Sequence, residues 1–240
     1  MNSDRTALIT GAGTGIGRGI AVAFAAEGMN LALVGRTRQT LEETARACGS
    51  DALILEASVE DRDRLAQVVS EIEGQYGSVG ILVNNAGMNT KRRSLSDMPP
   101  DEWDRVINVN LTGAYNAFKA VLPGFLQARD GLVINISSMA GKRAGTVGGV
   151  AYSASKFGMG SLTQSINAEF REEGIRATCI YPGEVDTPIL DHRPTPVSAE
   201  KRAAALQPED IAAAVVMVAN LHDRAIIEEM TIFPCRVVTA

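Results

Sequence analysis

The sequence predicts a doubly wound α/β fold, in which a parallel sheet carries helices on both faces. Short apolar runs alternate with longer segments of helical period along the 240 residues. The first apolar run, 6–10, leads directly into the glycine-rich stretch 11–17 and then into a helical pattern that ends at Ala26. Strands separated by helices imply right-handed crossovers and therefore a parallel sheet. We expect a single domain over 1–240.

The stretch 11–17, with the sequence GAGTGIG, predicts a turn that binds a dinucleotide. Glycine lets the backbone turn sharply and approach a ligand closely. The free N–H groups and the positive dipole end of the following helix attract a pyrophosphate. A plain tight turn is the alternative, but the strand before it and the helix after it favour nucleotide binding.

The end of the second predicted strand, 30–34, indicates which dinucleotide binds. Gly28 closes the preceding helix, and Arg36 follows the strand, with no acidic residue before Glu42. An Asp or Glu at this place binds the 2′-hydroxyl of NAD, whereas an arginine accommodates the 2′-phosphate of NADP. We expect NADP to be preferred over NAD; a solvated loop cation is the alternative interpretation of Arg36.

The alternation continues with helices at 39–48 and 61–76 and strands at 52–55 and 80–84. The fourth strand runs into Asn84-Asn85-Ala86-Gly87. Small residues at a strand end allow a ring or sugar to lie against the backbone. The two amide side chains can also tie neighbouring loops together, which would be a purely structural role.

A helical pattern over 99–127 begins with two prolines, which suit a first turn, and acidic residues that complement the helix dipole. Asn110 interrupts its apolar face. An unpaired buried amide is costly, so Asn110 should bond to backbone, water or a catalytic group. The strand at 131–136 then delivers Ser137 and Ser138 at its carboxyl end, where ligands bind in open α/β sheets.

The helix predicted over 151–173 carries Tyr152 and Lys156, four residues apart and hence on one face. A free tyrosine titrates near ~10, and a cation within roughly 4 to 6 Å favours the phenolate. Tyr152 would then be a usable general acid or base. Taken alone, however, the pair is more typical of an exposed helix surface.

The remaining chain predicts a strand at 176–181, a helix at 208–222 and a last strand at 230–233. Between them, the segment 188–207 loses its period and carries two prolines and a short helical piece. A long excursion at the carboxyl end of a strand indicates a lid over the site.

Composition excludes several classes of function. With 45% hydrophobic and 21% charged residues, the chain suits one compact domain. The net charge of -5 and the pI near 5.2 argue against a nucleic-acid binder. Cys48, Cys179 and Cys235 have no spacing that suggests a metal site or a disulfide framework. Neither a signal peptide nor a membrane span is predicted, so we expect a cytoplasmic protein without a metal.

Six motifs occur in one order along the chain: Thr10-Gly11-x-x-x-Gly15-Ile16-Gly17, Asn84-Asn85-Ala86-Gly87, Asn110, Ser138, Tyr152-x-x-x-Lys156 and Pro182-Gly183. In this combination the chain resembles the short-chain dehydrogenase/reductase family over nearly its whole length. The resemblance implies a seven-stranded parallel Rossmann sheet and hydride transfer between NAD(P) and a carbonyl or alcohol.

The resemblance also assigns roles to individual residues. Tyr152 would donate the proton in reduction and accept it in oxidation, and Ser138 would polarise the substrate oxygen, with Ser137 as the fallback. Lys156 would hold the nicotinamide ribose and lower the pKa of Tyr152, and Asn110 would hold a water that links Lys156 to solvent. The implied cofactor contacts, with Arg36 added, are Gly11, Thr14, Gly15, Ile16, Gly17, Arg36, Ser58, Val59, Asn84, Asn85, Ala86, Gly87, Tyr152, Lys156, Pro182, Gly183, Val185 and Thr187.

Two departures from the family pattern narrow these expectations. Ser58-Val59 stands where many relatives have an Asp-Val pair that contacts adenine, so that contact is weaker or made differently. Members that make fatty-acid precursors typically end in a glycine-rich stretch, whereas this chain has EMTIFPC at 229–235. This argues against a fatty-acid role and leaves a tetramer contact through that segment open.

An NADP-dependent carbonyl reductase or alcohol dehydrogenase is therefore the leading hypothesis, with a small-molecule substrate and neither nucleic acid nor membrane as partner. A 3-oxoacyl-thioester reductase, a dehydrogenase for a small sugar or hydroxy acid, and a catalytically silent NADP-binding sensor remain as alternatives. A sensor would need the glycine turn but not the catalytic residues. The resemblance implies a homodimer or homotetramer that pairs the helices at 111–127 and 151–173.

Basic residues also follow three predicted strand ends, at 91–93, 142–143 and 192–193. They could surround the mouth of the site and favour an anionic substrate or the NADP phosphates. Solvated loop charges are the simpler explanation.

Overall fold

The computed structural model describes residues 5–49 and 51–235, so the two ends of the predicted 1–240 domain lie outside the described residues. Seven parallel strands form one sheet in the order β3-β2-β1-β4-β5-β6-β7. The strands are β1 Thr6–Thr10, β2 Asn30–Gly35, β3 Leu53–Glu56, β4 Val79–Asn84, β5 Gly131–Ile136, β6 Ile175–Pro182 and β7 Glu229–Ile232.

Helices cover both faces of this sheet, which confirms the predicted fold class. They are α1 Gly15–Ala26, α2 Arg38–Cys48, α3 Arg62–Tyr76, α4 Pro100–Ile107, α5 Gly113–Ala128, α6 Val150–Phe170, α7 Ala199–Ala204 and α8 Pro208–Ala219. Residues of α1, α2 and α8 form one apolar cluster with the sheet. Residues of α3, α5 and α6 form a second cluster on the opposite face. Because both faces are covered, the central strands are mostly buried and predominantly apolar, as is usual for parallel strands.

The chain is helical without a break from Pro100 to Ala128, close to the predicted 99–127, but it is not a single α-helix. Between α4 and α5 the chain forms a π-helical turn at Asn108–Thr112, with Asn110 at its centre. A π turn inserts one extra residue into a helix and is invisible to a pattern with a period of 3.6. The side chain of Asn110 is completely buried, and it bonds outside its own helix. The interruption that the sequence showed as one polar residue is therefore a local change of helix type.

Other boundaries differ from the predictions by a few residues. The helix that carries Tyr152 ends at Phe170 and continues as a single 3₁₀ turn at Arg171–Glu173. Gly174 stops it with a φ of 81°, a left-handed conformation that favours glycine. The last helix ends at Ala219 rather than at 222.

The excursion predicted over 188–207 contains a 3₁₀ turn at Pro188–His192 and the short helix α7. Its two ends are joined, because Asp186 N donates to Leu206 O at 2.8 Å and Leu206 N donates to Glu184 O at 2.9 Å. The excursion is thus a closed loop attached at the carboxyl end of β6. None of the described helices is long and apolar enough to cross a membrane.

Candidate active site

The predicted site residues converge at the carboxyl edge of the sheet, around the junction of β1 and β4. The strand order reverses there, since β2 and β3 lie on one side of β1 and β4 to β7 on the other. Loops on either side of such a reversal diverge and leave a crevice, which is where open α/β sheets bind ligands.

The glycine turn between β1 and α1 packs tightly against the end of β4. Gly11 has a φ of 64°, and a Cβ placed on it would lie 2.8 Å from the Ala86 Cα. A Cβ on Gly17 would overlap the Gly11 carbonyl oxygen. The Thr14 side chain makes no hydrogen bond to the first N–H groups of α1. Its first N–H groups are therefore available to an anionic ligand, and the turn fits a pyrophosphate.

Thr10 and Asn85 fasten the glycine turn to β4. The Asn85 amide donates to the carbonyl oxygens of Thr10 at 3.1 Å and Gly11 at 3.0 Å. The backbone N–H groups of Asn85 and Ala86 donate to the Thr10 hydroxyl at 3.1 and 3.2 Å. Asn84 points the other way and donates to Asn135 Oδ1 on β5 at 2.9 Å. Both asparagine side chains thus tie elements of the sheet edge together.

Arg36 lies exposed just beyond β2, at the position where the sequence places the ribose. Glu42, the first acidic residue after that strand, is held by Arg38 at 2.9 Å. Ser58 lies after β3, with its hydroxyl 3.3 Å from Glu60 Oε2. Val59 is buried, and its side chain lies where a Cβ on Gly113 would collide with it. The Val59 side chain therefore packs on α5.

Tyr152 and Lys156 share one face of α6, and the Lys156 Nζ lies 5.6 Å from the centroid of the Tyr152 ring. Lys156 is buried and donates to Ile136 O on β5 at 2.8 Å. Burial lowers its pKa to about 8. Small residues of α6 allow this depth, since Ser155 is fully buried. The sequence alone could not decide between this arrangement and an exposed surface pair.

The pKa of Tyr152 is raised by burial, and the groups that oppose this are the Ser138 side chain, Arg193 and Arg93. The lowering of this pKa that the resemblance assigns to Lys156 stays a prediction; in the structure the Lys156 ammonium donates to the Ile136 carbonyl.

Two adjacent serines follow β5, and their environments differ. Ser137 is buried and donates its hydroxyl to Lys156 O at 2.9 Å, so it fastens β5 to α6. The Ser138 hydroxyl accepts from Ala140 N at 3.2 Å and can still donate its own proton. Ser138 is therefore the serine that can reach a ligand.

Asn110 is held by three hydrogen bonds. Its amide donates to Met88 O at 3.0 Å and to the Ser155 hydroxyl at 3.1 Å, and its Oδ1 accepts from Met88 N at 2.8 Å. Both side-chain N–H donors are thus used. A Cβ on Gly87 would lie 3.6 Å from Asn110 Oδ1 and 3.7 Å from Lys156 Nζ, so these two atoms bound the same space.

The segment after β6 reaches back to the glycine turn. Gly183 N donates to Ile232 O at 2.7 Å, and the Thr187 side chain lies 3.0 Å from a Cβ placed on Gly15. Val185 forms a bridge to Leu206. Pro182 and Thr187 therefore stand at the two ends of a segment that crosses the crevice.

Three of the basic loop residues are paired with carboxylates. Ion pairs join Arg92 to Glu102 at 2.6 Å, Lys142 to Glu229 at 2.7 Å and Arg193 to Glu184 at 2.5 Å. Arg93 differs, because it is buried and bonds only to carbonyl oxygens. Sequence reasoning did not single it out, since nothing in a run of three basic residues distinguishes the buried one.

Comparison with known proteins agrees with this geometry. The family model for short chain dehydrogenases matches residues 5–197. The chain belongs to this family. The predicted family membership and enzyme class are thereby confirmed, and the protein is an oxidoreductase of the short-chain dehydrogenase family.

The similar proteins of this family are named for different activities. A 3-oxoacyl-[acyl-carrier-protein] reductase from Staphylococcus aureus is 36% identical over 195 residues, covering 80% of this chain and 78% of the relative. A metagenomic short-chain oxidoreductase in complex with NADP superimposes with a TM-score of 0.83 at 31% identity, covering 98% of both chains. The closed form of serine dehydrogenase complexed with NADP+ superimposes with a TM-score of 0.90 at 28% identity, and the match covers 98% of this chain and 97% of that chain.

Proposed function

We propose that this protein is an NADP-dependent oxidoreductase that interconverts a carbonyl and a secondary alcohol, with Tyr152 as the acid and base. One observation carries the proposal: Tyr152 and Lys156 lie together on α6, beside Ser138 at the end of β5 and next to the glycine turn. Bound NADP would supply or accept the hydride, and the residues of the chain would orient and polarise the substrate.

The catalytic residues have separate tasks in this scheme. Ser138 donates a hydrogen bond from its hydroxyl to the substrate oxygen and keeps its proton, which stabilises the negative charge that gathers there during reduction. Tyr152 then delivers the proton that completes the alcohol, and it takes that proton back in oxidation. Lys156 holds the nicotinamide ribose with N–H donors that Ile136 O does not use. Asn110 keeps the second lone pair of its Oδ1 for a water beside Lys156.

The remaining contacts hold the cofactor. Gly11, Thr14, Gly15, Ile16 and Gly17 would cradle the pyrophosphate, and Arg36 would bind the 2′-phosphate. NADP is the cofactor named for the metagenomic and serine dehydrogenase structures, which supports this choice. The other proposed contacts are Ser58, Val59, Asn84, Asn85, Ala86 and Gly87 for adenosine and ribose, and Pro182, Gly183, Val185 and Thr187 for the nicotinamide.

The proposal is tested by following NADPH absorbance while the purified protein is offered a panel of aldehydes, ketones and 3-oxoacyl thioesters. Turnover with at least one member is expected, and Tyr152→Phe should abolish it while NADPH fluorescence still reports binding. Turnover by Tyr152→Phe at near-normal rates would refute the assigned chemistry. Binding without any turnover across the panel would favour a silent sensor.

A 3-oxoacyl-thioester reductase is the second candidate, and the Staphylococcus aureus relative favours it. The chain end opposes it: Phe233 and Pro234 follow β7 and lie 3.1 and 3.0 Å from a Cβ placed on Gly183, where the fatty-acid enzymes would have glycines. Acetoacetyl-CoA distinguishes this candidate from a general carbonyl reductase. A 3-oxoacyl-thioester reductase should reduce acetoacetyl-CoA faster than simple ketones, whereas a general carbonyl reductase need not. A dehydrogenase of a small sugar or hydroxy acid would instead oxidise such an alcohol with NADP+.

We further propose a cytoplasmic homodimer or homotetramer in which the excursion at 188–207 serves as a lid on one domain spanning 1–240. Tyr115 and Leu126 of α5 and Phe157 of α6 are exposed apolar side chains on the two helices assigned to the subunit contact, which supports pairing. Light scattering after gel filtration would reveal the oligomer. A monomer at micromolar concentration would contradict it.

A further inference from the structure

The side chain of Arg93 joins three separate segments around the substrate side of the crevice. It is only 6% exposed. Its Nε donates to Thr90 O at 2.8 Å, its Nη1 to Val147 O at 2.7 Å and its Nη2 to His192 O at 2.8 Å. These carbonyls belong to the loop after β4, the loop before α6 and the excursion after β6. One guanidinium therefore connects these three loops.

The backbone around Arg93 shapes the start of α6. Arg93 O accepts from Val150 N at 3.0 Å, at the first residue of that helix. Gly149 has a φ of 79°, and any side chain on it would collide with the Arg93 side chain. Tyr152 follows two residues after Val150. The position of the Tyr152 ring thus depends on the packing of Arg93 against this turn.

In the part of the chain that the structure describes, the charge of Arg93 has no carboxylate partner. Among the residues that the structure describes, the ion pairs of the neighbouring cations use Glu102 and Glu184, and none involves Arg93. Burial, and secondarily the nearby charge of Arg193, lowers the pKa of Arg93. A buried cation without a counter-ion makes the potential around it positive, so it favours an anion nearby.

The groups that face Tyr152 come from four segments. Ser138 lies on the loop after β5, Lys156 on α6, Arg193 on the excursion and Arg93 on the loop after β4. The field of Arg193 is reduced by its ion pair with Glu184. The charge of Arg93 remains, and it is tied to backbone groups that cannot move independently of the loops.

We propose that Arg93 is a positioning residue for the reaction assigned above: its buried charge stabilises negative charge on Tyr152 and on the substrate oxygen, and its three carbonyl contacts hold the excursion against the start of α6. The inference rests on the proposed function. Its first part concerns the ionisation of one tyrosine, which can be measured without turnover.

The test compares Arg93→Gln, which removes the charge, with Arg93→Lys, which keeps it but loses the planar fork. Ultraviolet absorbance follows tyrosinate formation, and the signal of Tyr152 is isolated from those of the other three tyrosines by subtracting the same titration in the Tyr152→Phe background. We expect Arg93→Gln to raise the apparent pKa of Tyr152 by about one unit. We expect Arg93→Lys to leave it within about 0.3 units of wild type.

The structural contacts give a separate readout. Both substitutions break bonds to Val147 and His192, so both should lower the melting temperature by about 5 °C. If Arg93 only clamps the loops, the melting temperature falls while the tyrosine titration is identical in wild type and both variants, and the electrostatic role is overturned. Arg93→His replaces the glutamine variant if that protein does not fold, because its imidazole is neutral where tyrosine titrates.

The matched control is Arg92→Gln. Arg92 is the preceding residue, it is exposed, and it pairs with Glu102. The Arg92→Gln substitution removes the same net charge as Arg93→Gln but lies outside the crevice. It should therefore leave the titration of Tyr152 unchanged. An equal shift in Arg92→Gln would show that net charge alone moves the titration, and the proposal would fail. If the wild-type protein turns over no member of the substrate panel but Arg93→Gln still raises the apparent pKa of Tyr152, the proposed function is rejected. The electrostatic role of Arg93 then stands.

Discussion

The two halves of the crevice are built by different means. The cofactor half is made of glycines and backbone groups: Gly11 and Gly17 pack against Ala86, Asn85 and each other over distances that exclude a side chain. The substrate half is held by long charged side chains, with Arg93 bonded to three loops and Arg202 bonded to Asp186 at 2.7 Å. One half is thus fixed by close backbone packing that leaves no room for a side chain, and the other by hydrogen bonds and ion pairs of long charged side chains.

Tyr152→Phe should have the largest effect, because it removes catalysis in the substrate half and leaves cofactor binding in the other half unchanged. Removing the phenol proton should lower kcat by about 10²-fold to 10⁴-fold, the usual contribution of a general acid. The affinity for NADPH, measured by fluorescence titration, should change less than about threefold, since the glycine turn is untouched. A parallel loss of NADPH binding would show that the halves are not independent.

The opposite change, Gly11→Ala, tests the cofactor half. It adds a side chain at a φ of 64° and places its Cβ 2.8 Å from Ala86. Because the turn must shift, we expect NADPH affinity to fall roughly tenfold or more. This corresponds to a loss of at least about 1.4 kcal/mol of binding free energy.

Gly49→Ala is the matched control for that experiment. Gly49 has a φ of 63°, but no atom of the described residues is found within 4 Å of a Cβ placed there. It should cost only the backbone strain, about 1–2 kcal/mol of unfolding free energy, with unchanged NADPH affinity. Weakened binding in both variants would show that overall stability, not the local contact, controls affinity.

Arg36→Gln examines the choice between the two dinucleotides. Loss of a charge-assisted bond to the 2′-phosphate should reduce the preference for NADPH over NADH by about 10-fold, measured as the ratio of the two dissociation constants. Arg38→Gln, on the same exposed segment but paired with Glu42, should alter the ratio less than about threefold. An unchanged ratio in Arg36→Gln would place the 2′-phosphate elsewhere.

Lys156 lies at the boundary of the two halves, and its ionisation should appear in the stability of the protein. Burial lowers its pKa from 10.5 to about 8, so between these values the unfolded chain binds more protons than the folded one. The free energy of unfolding should therefore rise with pH over this window, by about 1–3 kcal/mol relative to Lys156→Met.

Urea denaturation of wild type and Lys156→Met at pH 7.5 and pH 10 measures this difference. Lys119→Met, at an exposed lysine on α5, is the control for a change of lysine to methionine. If the stability difference between wild type and Lys156→Met does not depend on pH, the ammonium is better solvated than its burial indicates.

Much of the fold was predictable, because each apolar strand and each helical period is a local property of the chain. The first strand and the fifth strand have the bounds that the sequence predicts. The π turn around Asn110 was not predictable, since its extra residue is stabilised by bonds to Met88, 22 residues away. The choice between Ser137 and Ser138 as the serine that faces the ligand likewise depended on their hydrogen-bond partners, which the sequence does not show.

The sequence by itself determined the order of strands and helices, the glycine turn and the spacing of Tyr152 and Lys156, because these depend on neighbouring residues and on the absence of a Cβ. Only the tertiary structure decided that Lys156 is directed to Ile136, that Ser137 is committed to α6, and that Arg93 is buried while Arg92 is paired at the surface. Burial and charge compensation depend on which distant segments meet, and sequence pattern carries no such information.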